Sequence, residues 1–247
     1  MKKILFIYTT ILTLHIYAET LFDIGIPKVT GELIINQNYI LQYNEDYEQA
    51  DWVYYELTKN EVLGNIKRKD SFRADPRVKD GSSTLDDYRG SGYDRGHLAP
   101  AADMKMSSNA MEESFYLSNM SPQDPAFNRG IWSKLEKQIR DWALQYNSIY
   151  VVTGPYIESS NPKRIGSNRV AVPNYFYKVV LIYNDKEARS IGFLLPNKKG
   201  EFTLQEYAVT VNDIEDLTHL DFFSNLPNDI EESVEKSIDI ALWDFNN

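Results

Sequence analysis

The sequence predicts a mixed α+β fold in which a mostly antiparallel central sheet is flanked by helices. Several segments rich in β-branched and aromatic residues, bounded by Gly, Pro, Asn or Asp, indicate strands. Two segments with an apolar residue every three or four positions indicate helices. These signals do not alternate regularly along the chain, as they would in a parallel sheet. The 247 residues, 43% of them hydrophobic, are enough for one domain with its own core.

Each predicted element has its own local signal. The strands are predicted over residues 52–57, 149–153, 176–183, 190–195 and 206–211. The first helix is predicted over 128–146, where the apolar residues fall on one face. The second is predicted over 229–245. Pro227 and Asn228 precede it, and Asn228 with Glu231 has the spacing of an N-cap pair. The polar, basic segment 158–171 is predicted to be a surface loop.

The N-terminus has the pattern of an export signal. Two lysines precede an apolar run over residues 4–18, and this run is shorter than the roughly 18 residues of a membrane-spanning helix. We therefore expect a signal peptide at 1–18 and a single domain at 19–247, exported to the periplasm or the medium, with no stable membrane association. Because Ile16 is bulkier than the usual residue near a cleavage site, an uncleaved membrane anchor is the alternative.

Composition excludes several kinds of site and restricts others. The chain has no cysteine, so disulfides, cysteine-bound zinc and a thiol nucleophile are excluded. The net charge of −10 argues against a polyanionic partner, but the charge is unevenly distributed. Residues 64–140 hold 13 Lys and Arg against 11 Asp and Glu, whereas residues 201–247 hold one against 12. An anionic ligand is therefore expected on the middle of the chain.

One of the three histidines, His97, stands in an unusual run, Asp94-Arg95-Gly96-His97. On a strand, Arg95 and His97 would share one face, and Gly96 would allow a close backbone approach. The guanidinium would lower the pKa of the imidazole and keep it neutral, which suits a general base acting at a phosphate. A structural turn is the alternative for this run, and a structural role is favoured for His219.

A second group of polar residues lies on the first predicted helix. Asn128, Trp132 and Glu136 recur at every fourth position, with Asn128 in the middle of the apolar face and Glu136 at its edge. An amide oxygen near a carboxylate suits Mg²⁺, which usually keeps several waters. The alternative for Asn128 is that it caps the helix. Nine residues upstream, Asn119 either braces the same site or caps a loop.

These residues lie in motifs that are similar to those of a known family. The matching segments are 87–97, 115–123, 127–132 with 135–136, 152–155, 172–179 and 220–227. Over roughly residues 50–245 the chain resembles the DNA/RNA non-specific endonucleases, also described as ββα-metal or His-Me finger nucleases. The resemblance implies the ββα-metal fold, with the histidine on a hairpin and the metal ligand on the helix that follows.

The resemblance also implies a role for each candidate residue. His97 matches the general base, and Arg95 matches the arginine beside it. Asn128 matches the sole direct protein ligand of Mg²⁺, for which Mn²⁺ is a possible substitute. Glu136 matches a residue that holds metal-bound water, and Asn119 matches an asparagine that supports the active site.

One position departs from the family pattern. The family usually carries a further catalytic arginine upstream of the histidine. At the matching position this sequence has Asp70, with Arg68 and Arg73 nearby. Which of the two arginines contacts phosphate is left open by the sequence.

The resemblance implies an exported, Mg²⁺-dependent endonuclease that hydrolyses phosphodiester bonds of DNA and RNA, single- or double-stranded. A homodimer is compatible with it. A phosphodiesterase acting on small nucleotides and an inactive relative that only binds nucleic acid are the alternatives. The nucleic acid is expected to lie along six basic residues, namely Lys67, Arg68, Lys69, Arg73, Arg95 and Arg129.

Overall fold

A seven-stranded antiparallel sheet lies at the centre of residues 23–245, the part of the chain that the computed structural model describes. The strands, in chain order, are β1 (Glu32–Ile35), β2 (Ile40–Asn44), β3 (Gln49–Thr58), β4 (Asp94–His97), β5 (Met120–Gln123), β6 (Ser148–Tyr156), β7 (Arg164–Ile165), β8 (Val170–Ala171), β9 (Tyr175–Asn184), β10 (Glu187–Pro196) and β11 (Ala208–Val209). The large sheet has the order β1-β2-β3-β6-β9-β10-β11, while β4 pairs with β5 and β7 with β8. The predicted α+β class is confirmed.

Helices cover both faces of this sheet. They are α1 (Lys59–Val62), α2 (Leu85–Tyr88), α3 (Ser108–Glu113), α4 (Ser133–Tyr146), α5 (Val211–Thr218) and α6 (Asn228–Glu235). Val180 and Ile182 of β9 join the core cluster under α4, and Val179 and Leu181 join the cluster under α5 and α6. Because both faces are covered, β9 is apolar almost throughout instead of alternating with polar residues.

Four of the five predicted strands lie inside β3, β6, β9 and β10, but the prediction over 206–211 is largely wrong. Only Ala208 and Val209 pair there. Thr203 and Glu206 form a capping box that starts a 3₁₀ turn, and Thr210 forms another that starts α5. These side-chain hydrogen bonds satisfy the backbone of the two turns and outweigh the β propensity of the segment. The short strands β1 and β2 and the hairpin β7–β8 were not predicted.

The second predicted helix is shorter than expected. It ends at Glu235, and a separate 3₁₀ turn follows at Ile240–Leu242. The predicted cap pair is absent, because the residue before the helix is Pro227, and its carbonyl accepts the first N–H groups. Beyond the turn, Trp243 packs on Trp142 of α4, with ring centroids 4.6 Å apart. This contact draws the chain end to the opposite face of the sheet.

The predicted signal segment 1–18 lies outside the described residues. Within 23–245, no helix combines the length and the apolar character needed to cross a membrane.

Two carboxyl groups are packed between α5 and α6. Burial, with further repulsion from Asp221 and Glu231, raises the pKa of Glu215 to about 7, although the N–H of Phe222 acts in the other direction. Burial, together with repulsion from Glu215, Glu231 and Asp221, raises the pKa of Glu235 to about 8. Glu235 is only 6% exposed, and its Oε1 has no hydrogen-bond partner.

These raised pKa values predict that the protein loses stability as the pH rises. The protonated carboxyls stabilise the fold fully below the ordinary glutamate pKa, and this contribution is lost as the pH passes through about 7 and 8. Glu235→Gln keeps the shape without the charge. We expect it to raise the free energy of unfolding at pH 9 by on the order of 2 kcal/mol, with a much smaller effect at pH 5. Urea denaturation at both pH values measures this, with the exposed Glu232→Gln as the matched control. Parallel loss of stability in wild type and Glu235→Gln would contradict the prediction.

Candidate active site

A small hairpin and the helix after it carry most of the predicted site residues. β4 pairs antiparallel with β5, with His97 opposite Met120 and Gly96 opposite Ser121. A side chain at Gly96 would collide with the Gln123 side chain, so this position requires glycine. The chain leaves β5 and enters the helical segment that contains Asn128. The order strand, strand, helix is the ββα arrangement expected from the resemblance.

A cleft of about 610 Å³ opens beside this hairpin. Its lining residues come from four separate parts of the sequence and are Arg68, Asp70, Phe72, Leu85, Arg89, Asp94, Arg95 and Asn128. The structure therefore brings together Arg95 and Asn128, which were predicted from separate motifs. His97 stands next to the cleft, with its ring centroid 5.7 Å from that of Phe72.

His97 is a buried, neutral imidazole. It is 9% exposed, its ring packs edge-on against Phe115, and its Nε2 has no hydrogen-bond partner. Burial, followed by the positive charges of Arg68 and Arg95, lowers the pKa of His97 to about 3. The direction expected from Arg95 holds, but burial is the larger cause. A neutral ring at pH 7 has a lone pair with which to accept a proton.

Arg95 presents a guanidinium with hydrogen-bonding capacity to spare. It lies on the same strand face as His97, over the Phe72 ring at 4.4 Å, and its Nε is buried without a partner. The neighbouring Arg129, by contrast, donates to both carboxylate oxygens of Asp94, at 2.8 and 2.6 Å. Arg95 is therefore suited to bind a phosphate oxygen.

Asn128 is held so that its amide oxygen is free. Its Nδ2 donates to Asp94 Oδ2 at 2.9 Å, which leaves Oδ1 as the atom available to a cation. The alternative that Asn128 caps the helix is wrong. The capping oxygen is Asp124 Oδ1, which accepts the N–H groups of Ala126 and Phe127 at 2.8 and 3.3 Å.

The helix that carries Asn128 is not regular at its start. A wide π-type turn spans Phe127–Trp132, with a kink at Gly130 (φ −109°, ψ −109°), and regular α-helix begins at Ser133. The continuous helix predicted over 128–146 is corrected accordingly. Since such a turn holds more residues than an α-turn, the angle between Asn128 and Glu136 differs from that of an ideal helix. Turns of this kind are frequent at functional sites.

Glu136 lies on the first turn of α4 and is partly buried. Burial raises its pKa, and the positive charge of Lys178 acts in the opposite direction. Arg68 also acts on Glu136, as it does on His97. The positive charge of Arg68 therefore acts on both the imidazole and the carboxylate.

Asn119 is fully buried behind the histidine. Its Oδ1 accepts the N–H of Ala99, and its Nδ2 donates to the carbonyls of Ala99 and Ser114, each at 2.9 Å. Its own carbonyl accepts the N–H of Leu98 at 3.0 Å. Asn119 thus holds the backbone of the two residues that follow His97. This favours the interpretation that Asn119 braces the site over the alternative that it caps a loop.

The structure distinguishes between the two upstream arginines. Arg68 lines the cleft, 5.0 Å from the Phe115 ring, with Asp70 accepting from its Nε at 2.7 Å. Arg73 instead lies over the Tyr116 ring at 4.1 Å and is not among the cleft residues. Arg68 is therefore the arginine placed to meet a phosphate, and Arg73 is removed from the predicted binding surface.

Two other residues predicted to bind nucleic acid lie outside the cleft lining. Lys67 and Lys69 are exposed, and Lys69 is 3.4 Å from Glu112. Arg89, which the sequence analysis did not single out, adds an exposed positive charge to the cleft.

Three further residues of the site were missed by sequence reasoning. Asp94 was part of the quoted run without a role, although an acid next to a motif arginine is a signal for an orienting partner. Its hydrogen bonds from Arg129 and Asn128 outweigh burial and lower its pKa. Gln123 is fully buried with both amide atoms unpaired. Lys178 is a charged residue inside an apolar strand, which is itself a signal of function.

The donor atoms fit a hard divalent cation. The described residues contain no three His, Asp or Glu side chains at metal-ligand spacing. The amide oxygen of Asn128 would supply one ligand and Glu136 would act through water, which is a sparse oxygen set of the kind that Mg²⁺ accepts.

Comparisons with known proteins agree with this geometry. A sequence profile of the DNA/RNA non-specific endonucleases matches residues 18–229. Mitochondrial nuclease EXOG of Xenopus laevis is 36% identical over 227 residues, which are 85% of this chain and 63% of that protein. Nuclease C1 of Cunninghamella echinulata var. echinulata is 35% identical over 225 residues, covering 85% and 89%. The chain thus spans less than two thirds of the length of the EXOG relative.

A solved structure shows the same fold. The crystal structure of the EndoG/EndoGI complex, which concerns the mechanism of EndoG inhibition, contains a chain that matches this one with a TM-score of 0.79 and 30% sequence identity. The match covers 87% of this chain and 94% of that one. Together with the profile match and the ββα site, this similarity shows that the chain belongs to the DNA/RNA non-specific endonuclease family.

Proposed function

We propose that this protein is a metal-dependent endonuclease that hydrolyses phosphodiester bonds of DNA and RNA without sequence specificity. The observation that carries the proposal is the neutral, buried His97 next to a cleft lined by Arg95 and Asn128. These three groups supply a proton acceptor, a phosphate-binding cation and a metal-binding oxygen around one space.

His97 accepts the proton of the attacking water. The two guanidiniums that hold its pKa low, those of Arg68 and Arg95, are also the groups placed to bind the substrate phosphate. A bound phosphodiester offsets their positive charges, so the pKa of His97 rises as the substrate binds. The base therefore becomes stronger when it is needed.

Arg95 and Arg68 bind the phosphate and stabilise the negative charge that develops on it. The Nε of Arg95 has no protein acceptor, so no internal hydrogen bond has to be broken when the phosphate arrives. Arg68 first has to leave Asp70, from which its Nε is separated by 2.7 Å.

Asn128 and, through water, Glu136 would hold Mg²⁺, with Mn²⁺ as a substitute. When bound, the ion supplies Lewis-acid stabilisation of the charge on the phosphate and on the leaving oxygen. Asp94 fixes the Asn128 amide in the orientation that this requires.

Exposed basic residues outside the cleft favour a polymeric substrate over a small nucleotide. Arg89 is exposed in the cleft lining, and Arg129, also exposed, donates to Asp94, the residue before Arg95. Lys67 and Lys69 are exposed next to Arg68 in the chain and lie outside the cleft lining. A mononucleotide is too small for its phosphate groups to contact all of these side chains at once.

We further propose that the protein is exported. The lysine-led apolar segment over residues 4–18 supports this, as does the start of the family match at residue 18. EXOG and endonuclease G relatives, by contrast, are named as mitochondrial.

Export predicts a mature chain that begins at Glu19. Expression of the full sequence in a bacterium, followed by fractionation and intact-mass measurement, checks this. Replacing Ile4 and Leu5 by Arg should retain the full-length protein in the cytoplasm. A full-length chain recovered from the membrane would favour the anchor, and a full-length soluble chain would contradict export.

His97→Ala should lower the rate of plasmid cleavage by about 10²–10⁴-fold, because the general base is removed. Since the ring is buried between Phe72 and Phe115, the substitution also leaves a small cavity, so the melting temperature is measured on the same sample. His219→Asn, at an exposed position with φ 58°, is the matched histidine control and should retain activity. A folded His97→Ala that cleaves at the wild-type rate would contradict the mechanism. A wild type that binds DNA but does not nick it with Mg²⁺ would indicate the inactive relative.

Binding to duplex DNA should weaken steeply with salt although the chain is acidic. For the His97→Ala form, log K should fall with log salt by about 0.9 for each phosphate neutralised. Removing two cleft charges with Arg68→Gln and Arg89→Gln should reduce that slope by about 1.8. Lys198→Gln and Lys199→Gln, exposed and outside the cleft, serve as the matched control. Affinity independent of salt, with cleavage of a dinucleotide as efficient as that of plasmid, would favour the small-nucleotide phosphodiesterase.

A further inference from the structure

A lysine is completely buried in the centre of the large sheet. Lys178 is 0% exposed and lies in β9 between Tyr177 and Val179. An ammonium group removed from water costs free energy unless hydrogen bonds and an opposite charge compensate it. The contacts of Lys178 therefore indicate what the charge is for.

The ammonium contacts three elements at once. Its Nζ donates to Thr153 Oγ1 in β6 at 2.6 Å and to the carbonyl of Leu98 at 3.3 Å. It also lies 4.7 Å from the ring centroid of Trp132. Leu98 directly follows His97, and Trp132 stands four residues before Glu136. One side chain thus contacts the sheet, the strand of the general base and the metal-binding helix.

The surrounding charges are balanced in pairs. Arg140 Nη1 donates to Asp103 Oδ1 at 2.9 Å, and the hydroxyl of Tyr55 donates to the other oxygen of Asp103 at the same distance. Asp103 is thereby compensated by partners other than Lys178. Burial raises the pKa of Glu136 and lowers that of Lys178, and each charge opposes the shift of the other.

A lysine suits this place because of its donors. An ammonium has three donors, of which Thr153 and Leu98 use two. One donor remains without a hydrogen-bond acceptor among the described residues. A hydrophobic residue of the same length would fill the space but would connect none of these groups.

We propose that Lys178 is a positioning residue of the active site, which fixes the backbone that follows His97 relative to the helix that carries Asn128 and places a positive charge against Trp132, one turn before Glu136. The proposal rests on the proposed nuclease function, and it adds a residue from a strand that contributes nothing to the cleft lining.

The principal test is Lys178→Met, which keeps the length and removes the charge. We expect the dissociation constant for Mn²⁺, measured by electron paramagnetic resonance without substrate, to rise about 10- to 100-fold. In the cleavage assay kcat should fall while KM for DNA stays unchanged, because Lys178 does not line the cleft. Asn128→Ala is the reference variant that should bind Mn²⁺ least.

Two further variants separate positioning from a merely structural role. Val179→Ala is the matched control, since Val179 is equally buried next to Lys178 but belongs to the core cluster on the other face of the sheet. It should lower the melting temperature and leave Mn²⁺ binding unchanged. Thr153→Val removes one anchor of the ammonium without changing its charge, and it should weaken Mn²⁺ binding less than Lys178→Met. If Lys178→Met does not fold, Thr153→Val decides.

A double-mutant cycle with Glu136→Gln tests whether Lys178 acts through Glu136. Non-additive effects on Mn²⁺ binding support the proposal. Additive effects, unchanged Mn²⁺ binding in Lys178→Met, or an equal change in Val179→Ala would overturn it. Failure of this proposal can be distinguished from failure of the proposed nuclease function. A wild type that binds Mn²⁺ but cleaves no nucleic acid would contradict the nuclease function, while the Mn²⁺ measurements on the Lys178 variants would still test the positioning role.

Discussion

The carboxylate of Asp94 joins the two halves of the active site. It lies at the start of the strand that carries His97 and accepts hydrogen bonds from Asn128 and Arg129 on the helical turn. A carboxylate has two acceptor oxygens, and here both are used by the helix. The strand that carries His97 and the Asn128 amide are therefore held together by an interaction that leaves the Asn128 amide oxygen free.

Behind this link, the site depends on groups that never reach the cleft. Asn119 clamps the backbone after His97 with hydrogen bonds to Ala99 and Ser114. Lys178 holds the carbonyl of Leu98 from the sheet side. Both are fully buried, where competition from water is weak and each hydrogen bond contributes more to rigidity. Such pre-organisation lets charged groups act on a phosphate without having to reorient.

The acidity of the chain is compatible with an anionic substrate because the charges are separated by the sheet. The acidic residues of α5 and α6 cover the face opposite α4, which follows the helical turn that carries Asn128. At physiological ionic strength, exposed charges further apart than about 8–10 Å are largely screened. Near the cleft, most acids are already paired, as Asp70 is with Arg68 and Asp94 with Arg129. Arg95, whose Nε has no partner, is therefore the group to which we assign the phosphate in the proposed function.

The sequence by itself determined the fold class, four central strands, the family and the identity of His97, Arg95, Asn128, Glu136 and Asn119 as candidates. These features depend on local patterns, on residue chemistry and on spacing within one motif. Only the tertiary structure placed Arg68 and not Arg73 in the cleft lining, showed that Asp124 and not Asn128 caps the helical turn, and gave Asp94 and Lys178 their partners. Each of those outcomes depends on which groups from distant segments lie within hydrogen-bonding distance, and on how much water burial removes. Neither quantity is contained in the local order of residues, because both arise only when the hairpin, the helix and the sheet pack together.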